Sequence, residues 1–184
     1  MGVGQAQIVE ADSASVPAAV VVGGAVALTL FVAGRPEPLH RHRGRVVPAS
    51  GSKKAWVQFY ADPRSAAYED EVANQVRRQV LGVEVSYPLG EGVDFKLPLT
   101  AMRILMTVRF NLVKPVSYPK RITMHTKKPD VDNYGKAILD GLVKGLVIKD
   151  DGMVTDLTTF KRYVEPGHPE GVEIDLTAVP TEVV

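Results

Sequence analysis

Six aspartates lie between residues 130 and 156, a stretch that contains no glutamate. Their short, stiff side chains suit a site that must hold a hard cation in one place. Oxygen ligands completed by water favour Mg²⁺ or Mn²⁺. Such an ion activates water and stabilises the charge that grows on a phosphate, so these residue types predict metal-assisted phosphodiester hydrolysis. The six are Asp130, Asp132, Asp140, Asp150, Asp151 and Asp156.

The first two of these acids lie at the start of a helix that the apolar periodicity predicts over residues 132–144. A proline keeps the residue before it extended, so the chain is expected to enter the Asp130 region in extended form. Alternate residues of an extended run point to the same side, which would put Asp130 beside Asp132. Asp132 is then expected at the N-cap of the helix.

Chain length predicts that the later acids return to this point. The predicted helix is roughly 20 Å long, and residues 146–151 span roughly the same distance when extended. A reversal at Gly145 would therefore bring Asp150 and Asp151 back to the start of the helix. Carboxylates that converge in this way repel one another unless a cation joins them.

A lysine lies within the same helix. Lys136 follows Asp132 by one helical turn and precedes Asp140 by one turn. Beside a metal-bound phosphate its ammonium group would neutralise charge in the transition state. A surface ion pair with Asp140 is the alternative interpretation of the same spacing.

Two alternatives for the acids themselves stay open. Turn and cap chemistry explains them without a metal, with Asp132 as a helix cap and residues 150–152 as a turn. A calcium-binding loop is the second alternative, because residues 130–135 imitate the start of an EF-hand. Gly141 stands where that loop requires a bidentate glutamate, which argues against it.

The composition describes a globular chain of 184 residues with a net charge of +1 and no cysteine. The lack of cysteine excludes a disulfide framework and thiolate zinc sites, and it fits a reducing intracellular compartment. Basic residues cluster in two stretches, residues 35–54 and 114–128. Such clusters in a near-neutral chain predict contact with a phosphate backbone, and solvated loops are the alternative.

The N-terminal part contains an almost apolar run over residues 16–33. Acidic residues precede it where a signal peptide would have basic ones, and Gly23 and Gly24 divide it. We therefore expect no membrane segment. Residues 1–24 are predicted to form a flexible extension, and residues 25–180 one domain.

The hydrophobic pattern predicts strands separated by helices, with two strands at the end, which is typical of an α+β domain with a mixed sheet packed against two main helices. An aromatic group at Trp56, Phe59 and Tyr60 is expected either to stack on open bases or to pack in a core or dimer interface. The other predicted elements are a strand at 25–32, a basic loop at 34–51, a helix capped by Ser65 and ended by Gly82, a strand at 101–113, and a closing pair at 154–164 and 172–179.

The acid-rich stretch resembles the signature of the RusA-type Holliday junction resolvases, small nucleases of bacteria and phages. A looser match upstream includes residues 34–36, Tyr60 and residues 68–72, and the resemblance covers roughly residues 28–165. The signature reads Lys128-Pro-Asp130-Val-Asp132-Asn-Tyr-Gly-Lys136, then Asp140-Gly-Leu142, Gly145, Asp150-Asp151, Asp156 and Lys161.

The resemblance implies a cytoplasmic homodimer that nicks two strands of a four-way DNA junction symmetrically with Mg²⁺. It implies Asp130, Asp132 and Asp151 as metal ligands, Lys136 as a catalytic lysine and Asp150 as a neighbour. Lys144 and Met153 depart from the family pattern, which bears on substrate preference. The residues expected to bind DNA are Arg35, Arg41, Arg43, Arg45, Lys120, Arg121, Lys127 and Lys128.

Two rival functions remain for a chain of this kind. One is a protein that binds junctions or single-stranded DNA without cutting it. The other is a general nuclease for flaps and forks. Nicking of a labelled four-way junction, and of a panel of branched substrates, separates these functions.

Overall fold

A computed structural model of the chain describes residues 19–22, 25–40, 43–51, 54–60, 62–80, 97, 99, 102–119, 121–164 and 167–180. None of the helices among these residues is long and apolar enough to cross a membrane. The strands are β1 (Ala19–Val22), β2 (Ala25–Ala33), β3 (Arg43–Val47), β4 (Trp56–Tyr60), β5 (Met102–Leu112), β6 (Val154–Tyr163) and β7 (Gly171–Pro180). The helices are α1 (Pro63–Val80) and α2 (Val131–Lys144), with a 3₁₀ turn at Asp151–Met153.

Five strands form the main sheet in the order β1-β2-β7-β5-β6. β5 and β6 are parallel and the other neighbours are antiparallel, so the sheet is mixed. α2 lies in the connection from β5 to β6, as a parallel pair requires a long crossover. The predicted class, an α+β domain with a mixed sheet and two main helices, is confirmed.

The core lies between the sheet and the two helices. Alternate side chains of β2, β5 and β7 are buried, as period two requires. On β5 these include Ile104, Met106, Val108 and Phe110, so the predicted buried face of this strand is confirmed. The opposite face of the sheet carries ion pairs, including one between Arg109 and Asp175.

Helix α1 also protects one edge of the sheet. β2 extends beyond the end of β1, which leaves backbone groups of its last residues without a strand partner. The Gln79 side chain accepts from Phe31 N at 2.9 Å and donates to Phe31 O at 2.7 Å. Gln75 does the same for Ala33, at 2.8 and 3.0 Å. Two glutamine amides therefore replace a neighbouring strand.

The two helices approach closely because α2 carries glycine at the contact. A Cβ atom on Gly141 would lie 2.5 Å from Val72 Cγ1 and 2.7 Å from Val72 Cβ. A Cβ atom on Gly145 would lie 2.5 Å from Val76 Cγ2. All three distances are far shorter than a van der Waals contact, so only glycine permits this packing.

Several predicted elements differ in the structure. β6 and β7 are not paired, because β5 lies between them and the connection passes its end, where Val164 N donates to Leu112 O at 2.9 Å. The predicted basic loop at 34–51 contains strand β3, whose alternating residues pair with β4. α1 begins at Pro63 and not at Ser65, because Asp62 accepts from Arg64 N at 3.0 Å as the cap.

The predicted N-terminal extension falls mostly on residues outside the described ranges. Residues 1–18, 23 and 24 belong to this group, so their flexibility stays a prediction. Within the extension, Ala19–Val22 forms β1 and pairs antiparallel with β2. Its run of valines has the β-branched character that favours a strand.

Candidate active site

Asp130 and Asp132, which we name the acid pair, lie at the N-terminus of α2. The helix begins at Val131, so Asp130 and not Asp132 occupies the N-cap, and Asp130 has extended backbone angles of φ −72° and ψ 149°. Its side chain makes no capping hydrogen bond. Asp132 lies in the first turn, where the helix dipole favours negative charge. The helix therefore gains little from Asp130 as a cap, which leaves this carboxylate available for another task.

Both carboxylates of the pair are exposed. Neither the Asp130 nor the Asp132 side chain makes a hydrogen bond or ion pair with another described residue. Two carboxylates without such a bond, two positions apart at a helix N-terminus, form a donor set of the kind that a hard divalent cation prefers.

Lys161 on β6 supports the turn that presents the acid pair. Its ammonium group donates to Lys127 O at 2.8 Å and to Pro129 O. Burial lowers the pKa of Lys161, while the charges of Asp130 and Asp132 act in the opposite direction. Lys161 thus fixes the backbone directly before Asp130 and supplies positive charge near the pair.

The chain reverses after α2, as predicted, but the reversal occurs at Leu146 and not at Gly145. Gly145 stays in the right-handed region at φ −74°, and Leu146 takes the left-handed conformation at φ 60°. Leu146 N donates to Val143 O and Val147 N to Leu142 O, both at 3.0 Å, which is a Schellman motif. Gly145 is required for packing against Val76, and the reversal itself occurs at Leu146.

The returning chain is fixed by the residues that follow. Leu99 N donates to Val147 O at 3.0 Å, and Leu99 forms an isolated parallel bridge with Ile148. Leu99, Val147 and Ile148 are fully buried. The chain then enters the 3₁₀ turn at Asp151–Met153, which packs against α2.

The two acids of this turn have different roles. Asp150 caps it by accepting from Gly152 N at 2.7 Å. The Asp151 carboxylate instead hydrogen-bonds to the Lys136 ammonium group. This bond to Lys136 lowers the pKa of Asp151, and the bonds to Asp151 and Asp140 raise the pKa of Lys136. Asp150 therefore caps the 3₁₀ turn to which it belongs, and Asp151 contacts helix α2.

Lys136 connects the parts of the site. It lies one helical turn, about 6 Å of rise, after Asp132, and its Nζ is 2.9 Å from Asp140 Oδ1.

Among the described residues no three acidic or histidine side chains are close enough together to hold one metal ion. The assignment of Asp130, Asp132 and Asp151 to one ion stays a prediction. It requires the three carboxylates to move closer together than they lie here, and Asp151 to exchange its bond to Lys136 for the ion.

The predicted DNA-binding residues fall into three groups. Arg41 and Lys120 lie outside the described residues, and of Arg43 only its place in β3 is described. The others are exposed, and Lys127 Nζ lies 4.8 Å from the centre of the Tyr118 ring. A hydrogen bond to Tyr118 raises the pKa of Lys127. The exposed residues are Arg35, Arg45, Arg121, Lys127 and Lys128.

The role of Lys161 was not predicted from the residues. Its two acceptors are carbonyls 34 and 32 positions earlier in the chain, and no spacing rule connects a strand lysine with such partners. The segment before the acid pair lies along β6, where His125 N donates to Lys161 O at 3.1 Å. The available signal was the place of Lys161 in the signature.

Comparison with known proteins gives one family. The family model described as Endodeoxyribonuclease RusA matches residues 34–177, a span that contains the acid pair, Lys136, Asp151 and Lys161. No curated protein matches the chain.

Proposed function

The chain belongs to the RusA endodeoxyribonuclease family, whose model covers most of its length, and from this premise we propose that it resolves four-way DNA junctions by Mg²⁺-dependent hydrolysis. The observation that carries the proposal is the arrangement around α2. Two exposed carboxylates that form no hydrogen bond or ion pair with the described residues lie at its start, and Lys136 one turn later bonds to a third acid, Asp151.

Asp130, Asp132 and Asp151 would hold the ion, since they supply only oxygen ligands. When bound, Mg²⁺ would supply Lewis-acid catalysis for phosphodiester hydrolysis. Lys136 would then lose Asp151 as its partner and keep Asp140, which orients its ammonium group from 2.9 Å. The freed positive charge would neutralise the scissile phosphate as negative charge develops on it. Lys161 would keep the turn before Asp130 in place.

We propose a homodimer for the same reaction. A four-way junction has approximate two-fold symmetry, so a two-fold dimer presents one site to each of two equivalent strands. The exposed basic residues would bind the phosphates, and their number makes binding strongly dependent on salt. Paired symmetric nicks follow from this arrangement.

The central test uses Asp130→Asn. We expect this variant to shift a labelled four-way junction in a gel as the wild type does, and to lose nicking in Mg²⁺. Asp156→Asn is the matched control, because Asp156 belongs to the same acid-rich stretch but accepts a hydrogen bond from Thr155 Oγ1 at 2.9 Å and is not assigned to the ion. Full cutting by Asp130→Asn would refute the assignment.

The alternatives give different results on the same materials. A wild type that shifts the junction and never nicks it is a binding protein without cleavage. Faster cutting of flaps and forks than of four-way junctions indicates a general branched-DNA nuclease. Linear product from a cruciform plasmid, without accumulation of the nicked circle, supports paired nicks by a dimer.

A further inference from the structure

Strands β3 and β4 form a separate two-stranded ribbon. They pair with each other, and neither belongs to the main sheet. Large apolar side chains on this ribbon are open to solvent: Trp56 is 54% and Tyr60 is 45% exposed. An isolated ribbon gains little stability by itself, and large exposed side chains on it mark an interaction surface.

The two faces of the ribbon differ in chemistry. Residues at every second position of a strand share a face, so Trp56, Gln58 and Tyr60 lie together. Arg45 pairs directly with Gln58 across the ribbon and shares this face, which we name the aromatic face. The opposite face carries Val46 and Val57, which also pair directly.

The charge of this segment selects the partner. Between Glu37 and Asp62 the chain contains no acidic residue. The basic residues of this segment are Arg41, Arg43, Arg45, Lys53 and Lys54. A two-fold contact between ribbons of two copies would place this positive charge against itself. A polyanion is complementary to it. Aromatic rings beside arginine are the combination with which proteins stack on unpaired bases.

The segment that precedes the ribbon is anchored next to the acid pair. Leu39 N donates to the carbonyl of Asn133, the residue after Asp132, at 2.9 Å. His40 N donates to Ser65 Oγ at 2.8 Å, which fixes the same segment to α1. With five residues in each strand, the ribbon itself is about 17 Å long. DNA that is cut at the acid pair would therefore lie within reach of the aromatic face.

We propose that the aromatic face stacks on the bases that are exposed where DNA strands part at the branch point, with Arg45 on the adjoining phosphate. The proposal rests on the proposed function, because it places the branch point beside the site of cutting. Paired bases in a continuous duplex hide their faces, so the ribbon would distinguish branched from linear DNA.

The chain has a single tryptophan, so emission from Trp56 reports directly on this face. The wild type is titrated in EDTA, which prevents cutting, with a four-way junction and with a linear duplex of the same arm sequences. We expect the junction to quench Trp56 emission and to reduce its quenching by acrylamide, and the duplex to do neither at equal occupancy. Equal effects of both DNAs, or none at saturation, would overturn the proposal.

Variants of Tyr60 test stacking separately from bulk. Tyr60→Leu keeps an apolar side chain without a ring, and we expect it to bind the junction about 5- to 30-fold more weakly. Tyr60→Phe should bind as the wild type does. Val57→Ala is the matched control on the opposite face and should also bind normally. A Tyr60→Leu variant with wild-type affinity contradicts the proposal.

Other outcomes separate this proposal from the proposed function. If the wild type nicks the junction while Trp56 emission stays unchanged, the aromatic face is not involved and the nuclease assignment stands. If no junction binding occurs at all, both fail. If Trp56 emission changes with protein concentration in the absence of DNA, the face is a contact between copies of the chain, and stacking on bases is excluded.

Discussion

Lys136 hydrogen-bonds to Asp151 across fifteen positions of sequence, from α2 to the 3₁₀ turn that follows the chain reversal. The bond closes the loop formed by the rest of the helix and the returning segment. It also gives Asp151 a positive partner on α2, one helical turn after Asp132. Lys136 and Asp151 are only partly buried, so solvent screens their attraction and the bond contributes little to stability.

We therefore expect Lys136→Ala to separate stability from activity. The free energy of unfolding should change by less than about 1 kcal/mol, while the nicking rate should fall about 100-fold or more. Lys144→Ala is the matched control, because Lys144 lies on the same helix and also contacts two acids, Glu69 at 2.6 Å and Asp70 at 3.2 Å. Denaturant unfolding and single-turnover nicking measure the two effects. Equal nicking rates in both variants would reduce Lys136 to a surface ion pair.

Binding of Mg²⁺ should stabilise the folded chain through the same residues. At a free Mg²⁺ concentration ten times the dissociation constant, the gain is about 1.4 kcal/mol, or roughly 4 °C in Tm for a chain of this size. We expect this shift in the wild type and in Asp156→Asn, and its loss in Asp130→Asn and Asp151→Asn. Thermal unfolding with and without Mg²⁺ measures it. A larger shift with Ca²⁺ that survives in Asp130→Asn would instead favour a calcium module.

Local pattern was sufficient for α2, whose start carries the acid pair, and for strand β5. The helix over 132–144 and the strand over 101–113 were predicted within one or two residues, because each has an apolar period that only one geometry satisfies. Chain length predicted a return of Asp150 and Asp151 to the start of the helix. The structure brings the chain back to α2, where Asp151 contacts Lys136, and its place beside Asp130 and Asp132 stays a prediction. Length is a physical constraint that does not depend on which residue makes the turn.

Non-local pairing accounts for what the sequence did not reveal. β6 and β7 are adjacent in sequence, yet β5 separates them, since the order of strands depends on the whole sheet. Leu146 takes the left-handed conformation, because Gly145 lies at the close contact with Val76, where a Cβ atom would not fit. The partners of Lys161 are backbone carbonyls of a distant loop, and any residue type offers a carbonyl.

The contact between the helices predicts a large effect of one methyl group. The overlap of the new Cβ with Val72 should cost about 1–3 kcal/mol, and alanine gains roughly 1 kcal/mol in helix propensity, so Gly141→Ala should lower the free energy of unfolding by up to about 2 kcal/mol. The double variant with Val72→Ala should recover part of the loss. Denaturant unfolding of both single variants and the double variant gives the coupling. Additive effects would show that the two residues do not share this space.

The turn after α2 offers a stabilising substitution. Leu146 holds a left-handed conformation that costs about 1–2 kcal/mol for residues with a Cβ, and its side chain is 56% exposed. Leu146→Gly should therefore raise the free energy of unfolding by about 0.5–1 kcal/mol. Leu146→Ala keeps the Cβ and should show no such gain. A loss of stability in Leu146→Gly would mean that the leucine side chain makes a contact that outweighs the strain.

Lys161 is a positioning residue, and its substitution should appear in the metal dependence of the reaction. Lys161→Met keeps the length of the side chain but cannot donate to Lys127 O and Pro129 O, so the backbone before Asp130 becomes less fixed. We expect the Mg²⁺ concentration for half-maximal nicking to rise about 10-fold or more, since residues that orient metal ligands have effects of this size. Excess Mg²⁺ should restore most of the rate, because the ligands themselves remain.

The exposed Lys149→Met is the control for loss of a positive charge and should leave the Mg²⁺ dependence unchanged. A merely structural role of Lys161 would lower stability and leave the half-maximal Mg²⁺ concentration where it is in the wild type. A rate in Lys161→Met that stays low at every Mg²⁺ concentration would instead place Lys161 at the reacting phosphate. The titration thus distinguishes a residue that holds the ligands from one that acts on the substrate.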